Sequence, residues 1–228
     1  GLDSQQTNAV TDEWYSAGSP EFDPEGKYLY FVSSRDFHPI YSWTEWNHAY
    51  RDMQQVYMVT LRKEIPSPFA SENDEVDIKK QEKSKAKKTD KKSEKNKKVS
   101  SSSDKNINID FDGIADRVIK VSEKPGSYWG LSAVKGKIYY AFNSSKDGMQ
   151  MQLFTLKTKK ATDLGKIGSF VISADKKKML VNMQGKYAVI NLPSSKIKPK
   201  EFVDVSNMKV MVNLQEEWNQ IYVESWRQ

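Results

Sequence analysis

Three segments of this chain share one pattern, and that repetition restricts the fold more than any other feature. They are Ser19-Pro-Glu-Phe-Asp-Pro-Glu-Gly-Lys-Tyr-Leu-Tyr-Phe-Val-Ser33, Gly130-Leu-Ser-Ala-Val-Lys-Gly-Lys-Ile-Tyr-Tyr-Ala-Phe-Asn143 and Phe170-Val-Ile-Ser-Ala-Asp-Lys-Lys-Lys-Met-Leu-Val-Asn182. Each reads as a short strand, a tight polar turn and a second strand. The turns Asp23-Pro24-Glu25-Gly26, Lys135-Gly136 and Asp175-Lys176-Lys177 supply the dihedrals a hairpin needs. A further β-favouring run follows each hairpin, at Gln55–Leu61, Met151–Leu156 and Lys186–Leu192. Fourth strands are predicted at Ala161–Leu164 and Glu201–Val205. In the first unit the fourth position falls to Ile107–Phe111 or Arg117–Val121, after a long detour. Four antiparallel strands per unit predict an all-β fold, a partial β-propeller of about three four-stranded blades. A sandwich with similar turns is the alternative.

Typical propellers close with four to eight blades, so an arc of three leaves edges unpaired. The chain is therefore expected to be one piece of a longer one, or to pack its open edges against a neighbouring copy.

Two insertions interrupt the first unit. Residues Arg35–Asp52 hold Phe37, Tyr41, Trp43, Trp46 and Tyr50 with His38 and His48, too aromatic for a merely solvated loop. Pro66–Asn106 has the opposite character. Its Lys79–Lys98 tract sets eleven Lys against Glu82, Asp90 and Glu94, eight net positive charges, so the rest of this +6 chain is slightly acidic. Such composition buries too little apolar surface to offset the entropy of ordering, and roughly 72–105 is predicted to be disordered. Near the end the period changes. Trp218, Ile221, Tyr222 and Trp226 recur at helical spacing behind Gln215, Glu216 and Glu217, which predicts an amphipathic helix running to Gln228, where a domain boundary is expected to have been cut. The division is then 1–71 for the first blade with its aromatic insertion, 72–105 for the Lys/Ser-rich insertion, 106–213 for the remaining blades and 214–228 for the start of a helix leading into a further domain.

Composition removes several chemistries. With no cysteine among 228 residues there is no disulfide framework, zinc ribbon or thiol nucleophile. The longest apolar runs, such as Ile138–Phe142, fall far short of the roughly 20 residues a membrane-spanning helix needs, so no membrane span is expected. Nor does a charged and then apolar leader open the sequence. The Lys tract has no aromatic residue for stacking on bases and no Arg for reading their edges. It predicts weak, salt-sensitive adhesion to polyanions rather than a specific nucleic-acid site.

His38 and His48 lie ten residues apart, not at the spacing of a helical metal pair. Neither a Gly-x-Ser-x-Gly elbow nor a Gly-rich phosphate loop occurs. Asp110 and Asp112 flank Phe111 on a predicted strand and so share a face, where a cation could sit, but carboxylates beside Gly113 more often shape a turn. Asn143-Ser144-Ser145 matches a glycosylation acceptor, a short pattern common by chance. No catalytic, cofactor-binding or metal-binding residue is assigned, and no cofactor is expected.

Several runs together carry a resemblance over nearly the whole chain apart from the Lys tract. They are Val10-Thr-Asp-Glu-Trp-Tyr15, Ser19–Asp36, Tyr41-Ser-Trp-Thr-Glu-Trp-Asn-His-Ala-Tyr50, Ser67-Pro-Phe-Ala70, Asp110-Phe-Asp-Gly-Ile-Ala-Asp-Arg-Val118 and Gly130-Leu-Ser-Ala-Val134. The chain resembles the second propeller of tricorn-type serine peptidases, particularly the bacterial homologues. Glu217–Arg227 is similar to the start of the helical domain that follows the propellers there.

The resemblance implies two propellers ahead of a helical domain, a PDZ domain and catalytic domains carrying the Ser, His and acidic residue, none of which falls within 1–228. It also implies a parent that trims oligopeptides, propellers that gate or guide peptide passage, and contacts with other domains or copies. The Lys tract departs from the family pattern. It would project from one blade or fold back towards the channel. The expected function is thus a non-catalytic propeller segment of a tricorn-like serine peptidase, with a stand-alone interaction module of the cell envelope as the alternative, and a periplasmic location.

Overall fold

In a computed structural model the chain is described over residues 7–36, 39–41, 48–70 and 107–227. Two meanders and a three-stranded sheet follow one another. The first blade has β1 (Ala17–Phe22), β2 (Tyr28–Ser33), β5 (Gln55–Thr60) and β6 (Val118–Lys120), antiparallel in that order. Between β2 and β5 stands a small hairpin of β3 (Pro39–Tyr41) and β4 (His48–Tyr50), with Tyr41 opposite His48. The second blade is β7 (Ser127–Val134), β8 (Lys137–Ser144), β9 (Gly148–Thr155) and β10 (Lys160–Gly165). The third has β11 (Ser169–Ile172), β12 (Lys178–Met183) and β13 (Lys186–Asn191). The chain ends in α1 (Leu214–Arg227), whose first turn is capped by the Asn213 side chain accepting from the Gln215 N–H at 3.2 Å.

The hairpins form where the turn residues demanded them. Asp23 is buried and accepts from the N–H groups of Glu25 at 3.1 Å and Lys27 at 3.4 Å. Asp175 accepts from the Lys177 N–H at 3.1 Å in the corresponding turn of the third blade. These are aspartate-stabilised turns in which the side chain replaces a missing backbone acceptor.

Alternation along the strands decides what each face meets. Tyr30, Val32, Val56 and Met58 of the first blade pack against Tyr128, Ile138, Tyr140, Phe142 and Phe154 of the second. From the other face of the second blade, Tyr139, Met151, Leu153 and Leu164 meet Met179, Val181 and Ala188 of the third. The second blade is covered on both sides, which is why Ile138–Phe142 reads as a continuous apolar run rather than an alternating one. Each buried Val, Leu, Ile, Met or Phe among them contributes about 1.5–3 kcal/mol from its removal from water.

The two ends of the arc differ. On the first blade, the outward Leu29, Phe31, Tyr57 and Val59 are covered by Val10, Ile109 and Ile114 from the chain's own flanking segments. On the third, Val171, Leu180 and Val189 stand in cross-strand register and remain exposed. So do Trp218, Ile221, Tyr222 and Trp226 of α1.

One strand expectation is resolved between its alternatives and one is corrected. Of the alternatives for the first blade's fourth strand, β6 lies within Arg117–Val121, whereas Ile107–Phe111 forms no strand. Glu201–Val205 does not form a fourth strand of the third blade. The Val203 N–H reaches the Tyr187 carbonyl at 2.7 Å, but Asp204 then accepts from the Ser206 N–H at 2.9 Å and the chain turns away. The expected disorder of 72–105 lies outside the described residues, as do Phe37, His38, Trp43, Trp46 and the Lys79–Lys98 tract. Among the described residues no helix is long and apolar enough to cross a membrane.

Candidate functional site

The first strands β1 and β7 lie side by side, and both are bulged. In β1 the register shifts between Gly18 and Glu21, with Ser19 at φ 52°. In β7 it shifts between Trp129 and Ser132, with Gly130 at φ 63°. A bulge re-aims the side chain that follows it and frees a backbone group from the ladder. Here the two effects meet. Glu21 crosses from the first blade to accept from the Ala133 N–H of the second at 3.0 Å, and lies 3.6 Å from the Lys176 ammonium in the turn of the third. One carboxylate thus touches all three blades.

Because Ala133 is fully buried, Glu21→Ala would leave its N–H without a partner. A loss of about 1–3 kcal/mol in unfolding free energy is expected from urea titration. Glu21→Gln keeps an acceptor and should lose less.

Glu25 makes a second link. It takes hydrogen bonds from Lys135 of the second blade and from Lys27, both at 2.7 Å, and these ammonium groups hold its carboxyl down at about 2, below the ordinary 4.5. A depressed carboxyl contributes stability that is complete above its unfolded value and is lost as pH falls through its folded one. Acid titration of the wild type should therefore show a loss between pH 4.5 and about 2 that Glu25→Gln lacks. The difference should shrink in high salt because the pair is exposed. Identical acid profiles would remove this link.

Two of the clefts among the described residues open between the blades as follows. The first, about 460 Å³, lies between the first and second blades and includes Ser122, Tyr128, Tyr140, Gln152, Lys160 and Asp163. Lys160, Ala161 and Asp163 of β10 form one side of it and Ser122–Lys124, just after β6, the other. The Tyr140 hydroxyl donates to Gln152 at 3.3 Å on its floor, and burial raises the pKa of Tyr140 above its usual value. Burial also pushes Tyr128 up to about 12.

The second cleft, about 610 Å³, lies between the second and third blades. Met149 comes from β9, Lys166 and Ile167 from the β10–β11 connection, Met183 and Lys186 from β12 and β13, and Phe202 from the segment beyond. The Gly168 N–H donates to the Asn182 carbonyl at 2.8 Å and ties the connection to the end of β12. A Cβ at Gly168 would come within 3.1 Å of the Asn182 side-chain oxygen, so the approach is close.

The residues singled out in the sequence are placed as follows. Asp110 and Asp112 are not on a strand, and both are engaged by Lys63. Asp110 accepts from the Lys63 N–H at 2.9 Å and Asp112 from its ammonium at 2.5 Å, a hydrogen bond that lowers the Asp112 pKa. Arg117 donates to the carbonyls of Thr60, Asp112 and Asp110, the first two at 3.1 and 3.0 Å. The Asp-Gly-Ile-x-Asp-Arg run is therefore a fastening of the long β5–β6 connection. Among the described residues no group of three or more His, Cys, Asp and Glu could hold a metal ion. Asn143 is exposed on β8, and Ser145 of the same triplet donates its N–H to Asp52 at 3.1 Å. The Glu21 contact and both clefts were not foreseen, because each is assembled from segments far apart in the chain.

Successive antiparallel sheets packed face to face, with the first strands of the first two side by side, define the class: a partial β-propeller. Sequence comparison identifies it further. The profile of the tricorn protease second β-propeller domain matches residues 1–193, and the chain belongs to that family. It is 26% identical over 227 residues to a tricorn protease homolog of Saccharolobus solfataricus, covering 92% of this chain and 18% of that protein. It is also 26% identical to a putative tricorn-like protease C-terminal subunit of Sulfurisphaera tokodaii, covering 92% and 23%. Against tricorn protease homolog 1 of Streptomyces coelicolor the identity is 25%, covering 92% and 20%. A crystal structure of the tricorn protease superposes with a TM-score of 0.69 at 19% identity, over 99% of this chain and 20% of that one. The chain thus spans about a fifth of the length of these relatives.

Proposed function

We propose that this chain is a non-catalytic propeller segment of a tricorn-like serine peptidase that guides or gates oligopeptide access and supports assembly with the other domains. Membership of the second-propeller family carries the reading. The uncovered Val171, Leu180 and Val189 row and the exposed apolar face of α1 supply surface for the assembly part. The parent chain would carry the nucleophile and trim oligopeptides, and its location would be the periplasm, to be checked by cell fractionation.

The test is made in the parent protein. A serine-reactive phosphonate should label it outside residues 1–228 and leave the isolated segment unlabelled. Loosening the inter-blade contacts, as in Glu21→Ala, should change the dependence of cleavage on peptide length while hydrolysis of a small chromogenic substrate is retained. Labelling within the segment, or an unaltered length dependence, would defeat the proposal.

A further inference from the structure

Beyond a general role in peptide access, and resting on it, we propose that the cleft between the second and third blades binds the C-terminal end of an oligopeptide. The α-carboxylate lies with Lys166 and Lys186, and the last side chain lies against Met149, Ile167, Met183 and Phe202.

Charge selects the carboxylate. Among the described residues, the lining of this cleft contains two cations and no acidic residue. Among the described residues neither Lys166 nor Lys186 takes part in an ion pair, whereas many other lysines do, including Lys124 with Asp147 and Lys196 with Asp163. The cleft between the first and second blades offers no such selection, since Glu123 and Asp163 line it together with Lys124 and Lys160. A charge-assisted hydrogen bond from an ammonium to a carboxylate is stronger than a neutral one, and α-carboxylates are common to linear peptides whatever their sequence.

The walls select the rest of the ligand. Ile167 is buried at the base, and two methionines flank it. Methionine side chains are flexible and polarizable, and they adapt to apolar groups of different shape. The wall is thus suited to a terminal apolar residue of variable identity.

Lys186 and Phe202 are held where this needs them. The Lys186 ammonium lies 5.9 Å from the centre of the Phe202 ring, and the Val203 N–H fixes that segment to the Tyr187 carbonyl at 2.7 Å. The unfinished fourth strand of the third blade is what brings Phe202 to the rim. At about 610 Å³ the cleft is of a size that accepts one or two residues of a peptide.

The experiment uses the intact protein, pretreated with a serine-reactive phosphonate and labelled with ¹³C at the methionine methyls. Met149 and Met183 are assigned through Met149→Leu and Met183→Leu. Acetyl-Ala-Ala-Leu with a free C-terminus should shift both methyls, and its C-terminal amide should bind about tenfold more weakly. The double variant Lys166→Gln, Lys186→Gln alters two exposed side chains and should bring the acid to the affinity of the amide. Phe202→Ala should weaken both ligands. Equal binding of acid and amide, silence of both methyls, or hexanoate binding as tightly as the peptide would each overturn the assignment. Silent methyls together with a length dependence that still responds to Glu21→Ala would defeat this inference and leave the broader role standing.

Discussion

Gly126→Ala should cost about 3 kcal/mol of stability, the largest effect expected from the removal or addition of one methyl group in this chain. The reason is approach rather than torsion. A Cβ at Gly126 would stand 2.4 Å from Cε2 of Phe142 and 2.8 Å from the Asn143 carbonyl oxygen. Phe142 is fully buried among Tyr128, Tyr140 and Val56, so its ring has no free space to enter. The backbone cannot yield cheaply either. Gly126 exchanges two hydrogen bonds with Gln54, at 3.1 and 3.2 Å, which join the first and second blades. Gly18→Ala is the control, because nothing lies within 4 Å of its Cβ position and its φ is unexceptional. That variant should stay within about 0.5 kcal/mol of the wild type. Urea midpoints at equal slope would make the comparison, and two equal losses would show the packing argument to be wrong.

Arg117→Ala should cost about the same, roughly 3 kcal/mol, by a different route. Its guanidinium donates to three carbonyls, those of Thr60, Asp110 and Asp112. Thr60 is buried, so its carbonyl cannot turn to water when the donor is removed. The fork also fixes the chain just before β6. Without it, the docking of Ile114 against Leu61 and Val59 loses its anchor. Arg117→Lys tests the geometry. A point charge with rotatable donors cannot reach three acceptors in a plane, so it should recover less than half of the loss. Full recovery by lysine would show that charge alone matters here.

Much of the architecture was legible because hairpins announce themselves locally. Asp23, Gly136 and Asp175 sit at turns whose chemistry is complete within a few residues. The alternation of β12 follows from having one face on a core, and the unbroken burial of β2 from having both faces covered. The fourth strands were less legible because they depend on a partner. Ile107–Phe111 and Glu201–Val205 have strand composition, yet the first is drawn off by Lys63 and Arg117, and the second is turned aside by Asp204. Their propensity was real and tertiary hydrogen bonding overrode it.

The clefts were illegible for a stronger reason. Lys166, Lys186 and Phe202 belong to three segments of ordinary composition, and only the stacking of the second blade on the third brings them together. Glu21 is similar. It sits in the most conspicuous repeat of the sequence, but its acceptor role follows from two bulges that no local pattern specifies. Arg117 lies between these cases, visible as part of a motif and not as a triple donor.

The interruption of the first blade also sets an order of events in folding. The second blade closes through short hairpin connections, each a local search. By contrast β6 must find β5 across residues 61–117, and closing so long a loop is entropically slow before any contact rewards it. The second blade is therefore expected to assemble early and β6 to dock late, guided by Arg117. Mutations at β6 should accelerate unfolding and leave the refolding rate nearly unchanged. Truncations inside the second blade should slow refolding instead, so the blade that lies between the other two is also the one from which the arc grows.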